Sequence, residues 1–181
     1  MEWPQVRTYI NTGEPIEEAN RMEFRLLYDG ELAGNSAKAK DKHAIRQQLH
    51  PQLRRLWNSN TRLQDYAANV ALHSCEPNVI GPKNKQERAE LGIERIGKNF
   101  SKAGYQLVPL VTEELALRCS LSILMLRPKE GKKTIFEGGD IDNQVKTLFD
   151  GLKIPRDANE ANNSVPGPDE TPFFVCWKTI G

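Results

Sequence analysis

Apolar residues recur along this chain with two periods, and the change from one to the other divides it into elements. Met22, Phe24, Leu26 and Tyr28 alternate with Glu23, Arg25 and Leu27 before Asp29-Gly30, which predicts a strand running into a tight turn. Ile45, Leu49, Leu53 and Leu56-Trp57 then recur at helical spacing, with Arg46, Gln47, Arg54 and Arg55 on the opposite face. An interruption or kink is expected near His50-Pro51, because proline disfavours the helical region for the residue before it. Leu63, Tyr66, Ala67, Val70 and Ala71 predict a second, shorter helix capped by Asn60 or Thr61. Residues 76–83 are a proline- and glycine-rich loop, and Glu87 to Lys102 is charged with only a thin apolar stripe through Leu91, Ile93, Ile96 and Phe100. Together they read as an exposed, partly helical insertion around 76–104.

Tyr105 to Val111 predicts an edge strand, since Pro109 would remove a ladder hydrogen bond from a central one. Leu117, Cys119, Leu121, Ile123 and Met125 share one face of a further segment whose other face turns apolar at Leu124 and Leu126. That pattern predicts a central strand. A basic loop with Lys129, Lys132 and Lys133 follows, then Gly138-Gly139 and a helix beginning at Asp140. Arg156 to Asp169 reads as a long polar loop, and Pro172 to Lys178 as a last strand. Strand, helices, two strands, helix and strand make an α/β or α+β domain, with helices packed on one small mixed β-sheet over residues 22–181. Residues 1–21 show no clear period and read as a loosely docked N-terminal extension.

Composition narrows the class without naming it. The 181 residues are 38% hydrophobic and 27% charged, which suits one globular domain with an appendage. Lys and Arg number 25 against 24 for Asp and Glu, so any case for a polyanionic partner rests on local clusters. Cys75, Cys119 and Cys176 are odd in number and lack ligand spacing, reading as reduced residues of a cytoplasmic protein. The start lacks a signal-peptide pattern, and no apolar run reaches membrane-spanning length. His43, His50 and His73 have no paired ligand spacing and are expected in packing or surface roles, while Trp57 and Trp177 are expected to fill core.

The densest chemistry lies in Asp140-Ile141-Asp142-Asn143-Gln144-Val145-Lys146, continuing through Leu148-Phe149-Asp150-Gly151-Leu152. At about 100° per residue, Ile141, Val145, Leu148, Phe149 and Leu152 share a face that can pack on the sheet. Asp142, Asn143, Lys146 and Asp150 fall opposite. Helix grammar accounts for the polar set: Asp140 as N-cap, Asp142 in the first turn, and Asp142 with Lys146 as an i,i+4 ion pair. The other reading is chemical. Two carboxylates at a rigid helix start offer hard oxygen ligands to a divalent cation, with Lys146 one turn on to stabilise charge on a phosphoryl group.

With its preceding strand and basic loop, this stretch resembles the signature of the RusA family of Holliday junction resolvases: Asp, apolar, Asp, Asn, two variable residues, Lys, then Asp-Gly-Leu or Asp-Ala-Leu. The resemblance covers about Leu117 to Leu152 well and the first strand and helix in outline. It implies a small α/β fold that forms a homodimer and cuts branched DNA with Mg²⁺ or Mn²⁺. Asp140 and Asp142 then match the metal-binding aspartates, and Lys146 the lysine that supports catalysis. Lys129, Lys132 and Lys133 take the place of the family's basic loop, and Arg54 and Arg55 are further candidate phosphate contacts. The sequence departs from the family at its third acid, which typically stands near the strand after the helix. Here Phe173 to Gly181 holds no acid, and Asp169 and Glu170, or Asp157 and Glu160, are the nearest substitutes. Asp169 is the candidate third ligand. A binding-only or protein-interaction module on the same scaffold is the alternative.

Overall fold

The structure, a computed structural model, describes residues 6–10, 22–34, 37–73, 84–115, 119–124 and 141–178. The chain is α+β. In order it forms strands β1 (Val6–Ile10) and β2 (Glu23–Leu26), helices α1 (Ala39–Ser59), α2 (Thr61–His73) and α3 (Lys85–Asn99), strands β3 (Leu107–Val111) and β4 (Cys119–Ser122), helix α4 (Ile141–Leu152) and strand β5 (Phe173–Trp177). Among the described residues the strands form two sheets where one mixed sheet was expected. One is antiparallel in the order β2-β1-β4, and the other is a parallel pair of β3 and β5. The antiparallel sheet puts β1, from the stretch read as an extension, in the middle, while β4, expected to be central, pairs there only with β1. No described helix is long and apolar enough to cross a membrane.

The parallel pair lies inside the core. Leu107 pairs with Phe173, Val108 with Phe174, and Pro109 with Val175, and strand alternation divides their side chains between two apolar clusters. Val108, Leu110, Phe174 and Cys176 enter the larger cluster with α1, α2, α3 and α4. Leu107, Phe173 and Val175 enter the smaller one with Tyr105, Ile154 and Ala161. Pro109 is tolerated because β3, as expected, has a partner along one side only among the described strands.

Helix α1 runs through Pro51 without the interruption that was one of the two expectations there. Its stripe of Ile45, Leu49, Leu53 and Trp57 is buried on both sides of the proline, and this packing outweighs the local cost of about 3 kcal/mol. Two glutamines one turn apart on α1 continue β2 beyond Leu26 by imitating a backbone ladder. Gln52 exchanges hydrogen bonds with the Leu27 amide (2.8 Å) and carbonyl (2.7 Å), and Gln48 with those of Asp29 (3.0 and 2.9 Å). Asn60 caps α2, its Oδ1 accepting from the Arg62 and Leu63 amides.

Helix α3 is a core element, which corrects its reading as an exposed insertion. Ala89, Gly92, Ile93, Ile96 and Gly97 are buried, a face that includes two glycines and therefore looked thin when only large apolar residues were counted. A Cβ at Gly92 would lie 1.8 Å from the Ala67 carbonyl oxygen, so the absent side chain sets the α2–α3 approach. Gly92→Ala is expected to cost roughly 2 kcal/mol or more through overpacking, seen as a lower urea midpoint. An unchanged midpoint would show that the two helices do not approach this closely.

Candidate functional site

Helix α4 carries the acidic motif, and the two halves of that motif face different surroundings. Its last turn is clasped by α1. Asp150 lies between two ammonium groups, Lys42 Nζ at 2.6 Å and Lys153 Nζ at 2.6 Å. Burial works against charging this carboxylate, but hydrogen bonds from Lys153 and Lys42 outweigh it and hold its pKa below the ordinary value. A Cβ at Gly151 would stand 2.7 Å from Ile45 Cβ, so glycine lets the helices close, and Leu152 is buried beneath them.

Arg46 completes the clasp. Only 2% exposed, it donates from Nε to the Lys153 carbonyl (3.0 Å), from Nη1 to that of Glu160 (2.8 Å) and from Nη2 to that of Asp150 (2.7 Å). Two of these acceptors lie at or just past the α4 C-terminus, where carbonyls lack helical partners and the dipole favours a cation. The arginine expected on the helix face opposite the apolar stripe, with Arg54 and Arg55, is thus a buried fastener. Nothing in its spacing distinguished it from Arg54 and Arg55.

These contacts set the roll of α4. Its buried residues are Gln144, Thr147, Leu148, Gly151 and Leu152, while Ile141 and Phe149 are 46% and 38% exposed. The buried face is therefore turned by about 75°, at 100° per residue, from the one expected on apolarity. Thr147 enters because its hydroxyl donates to the Asn143 carbonyl at 2.9 Å, satisfying it within the helix. The solvent-facing side carries Asp142 and Lys146 as expected, and Phe149, which was not. Phe149 meets half-buried Trp177 edge to face, ring centroids 6.1 Å apart.

Asp140, Gly138-Gly139, Lys129, Lys132 and Lys133 lie outside the described residues. Arg54 and Arg55 are exposed on α1, lining an open groove of about 440 Å³ with Gln47, His50, Pro51, Asn58, Asp169 and Glu170. Asp169 is placed there through its backbone, its carbonyl accepting from His50 Nε2 (3.0 Å) and Arg54 Nη1 (3.3 Å). Among the described residues no three His, Cys, Asp or Glu side chains form a group able to hold a metal ion.

Two of the histidines are packing residues. His43 and His50, two turns apart on α1, are 4% and 5% exposed and lie roughly parallel to the Phe173 ring, at 6.2 and 4.5 Å. The Phe174 amide donates to His50 Nδ1 at 2.9 Å, so the ring proton sits on Nε2 and is donated to Asp169. His43 Nε2 lies 2.9 Å from Ser164 Oγ and 3.3 Å from the Tyr105 hydroxyl, while its buried Nδ1 has no partner among the described residues. Comparisons with known protein families, curated proteins and solved structures found no match to this chain.

Burial lowers the pKa of both imidazoles, helped by Arg46 at His43 and by Arg54 at His50 and opposed in part by Glu170. Below the ordinary value of 6.5 the unfolded chain therefore binds more protons than the folded one. Stability is expected to be full above about pH 6.5 and to fall as the pH drops below it. Asp150 and Glu160, whose pKa values are lowered from 3.8 and 4.5, add their losses only in stronger acid. Urea midpoints at pH 7.5 and 5.5 check this, and equal midpoints would show that neither imidazole is held neutral.

Proposed function

We propose that the chain is a RusA-like, divalent-metal-dependent endonuclease of branched DNA. What carries this reading is the solvent-facing side of α4, which presents Asp142 and Lys146 one turn apart on a helix clasped at its other end. A carboxylate and an ammonium group on a rigid support suit phosphodiester chemistry, where positioning and charge stabilisation do most of the work.

Asp142, with Asp140 just before the helix, would hold Mg²⁺ or Mn²⁺ through hard carboxylate oxygens. When bound, such an ion supplies Lewis-acid stabilisation of the scissile phosphodiester. Lys146 stabilises negative charge developing on the same phosphate. Lys129, Lys132, Lys133, Arg54 and Arg55 neutralise phosphates along the substrate and make its binding salt-dependent. A homodimer would present two such sites and cut two strands of a junction symmetrically.

The second reading, a non-catalytic DNA-binding module, is favoured by one observation: the sequence from Phe173 to Gly181 holds no acid where the resembled family places its third ligand. Purified protein, a labelled four-way junction and Mg²⁺ or Mn²⁺ separate the two. Paired nicks are expected from the wild type and none from Asp142→Asn, while Lys146→Ala should be slower by roughly 100-fold. Salt-dependent binding without cleavage selects the second reading, and cleavage that survives Asp142→Asn removes this site from the chemistry.

A further inference from the structure

The roll of α4 leaves Phe149 where neither apolarity nor helix grammar would put it. Its ring is 38% exposed although Leu148 and Leu152 on the same helix are buried, and it lies on the outward face with Asp142 and Lys146. At about 100° and 1.5 Å per residue, Phe149 stands some 20° around the helix from Asp142 and about 10 Å along it. Lys146 falls between the two. Trp177 supports the ring from one side, and the exposed Lys178 follows it in the chain.

We propose that Phe149 is a stacking platform for an unpaired nucleic-acid base beside the phosphate that Lys146 contacts. An aromatic face can stack only on a base withdrawn from its duplex, because paired bases present their edges in the grooves. Lys146 supplies the charge complementary to a phosphate on the same face. The substrate class is therefore DNA with unpaired or splayed bases at the point of cleavage, as at a branch or a fork. This rests on the proposed reaction for its place beside the scissile phosphate, but base stacking itself requires no catalysis.

The test measures binding of the full chain, in EDTA, to a labelled duplex and to a forked DNA of the same sequence with unpaired nucleotides at the branch. Wild type is expected to prefer the fork. Phe149→Ala should bind the fork about tenfold more weakly with duplex affinity unchanged, since stacking contributes roughly 1–3 kcal/mol per base. Phe149→Tyr should retain the preference. Phe149→Leu, which keeps an apolar contact for Trp177, should lose it, so a folding defect in the alanine variant does not decide the outcome. Absence of a wild-type preference, equal weakening on both DNAs, or a leucine variant that binds like wild type each overturns the proposal. Failure of cleavage in Mg²⁺ or Mn²⁺ would sink the proposed reaction while leaving this measurement intact.

Discussion

A guanidinium sealed from water must find acceptors, and Arg46 finds them in three carbonyls from three places in the chain: Asp150, Lys153 and Glu160. Burying that charge is tolerable only while α1, the end of α4 and the turn at 157–163 stay together, so one residue ties α1 to a stretch 104 to 114 residues further along the chain. Around it the Lys42–Asp150–Lys153 bridge and the Gly151–Ile45 contact add the charge and the closeness that Arg46 needs. His43 and His50 extend the attachment along α1, the first through Ser164 and the second through the Asp169 carbonyl and the Phe174 amide. Strand β5 and the loop before it are thereby held against the same helix.

The clasp also divides the acidic motif into two jobs. Asp150, Gly151 and Leu152 fix the helix, and Asp142 and Lys146 are presented to solvent by a support that is already anchored. For the proposed endonuclease this division bears on chemistry, because a group acting on a phosphodiester is effective only when its position is set before the substrate arrives. The exposed phenylalanine belongs to the presenting half. Burying it would have required a different roll, and that roll is excluded by the contacts of Asp150 and Gly151.

Much of the architecture was legible in the chain. Strand β2, the long α1, the Asn60 cap, the edge strand with Pro109, the extent of α4 and the final strand all follow from periodicity and punctuation, because those signals act within a few residues, whereas β1 was hidden in the stretch read as an extension. The interruption at Pro51, the exposed insertion and, among the described strands, the single mixed sheet were misread, each for a physical reason. A proline is tolerated where burial on both sides outweighs its cost, a glycine-containing stripe is apolar by contact though not by residue type, and strand partnership is a long-range choice. The clasp was least legible, since Arg46 shares its helix and chemistry with the exposed Arg54 and Arg55.

By itself the sequence determined the helices, the described strands other than β1, the α+β class and the residue types that gather at the start of α4, because local spacing and capping act through neighbours in the chain. Only the tertiary structure decided which of those residues face inward. Asp150 was drawn into an ion pair 108 residues distant in sequence, Arg46 was taken from the surface, and Phe149 was left outside beside Asp142. A helix can present any side to its core, and packing against α1 fixed the side.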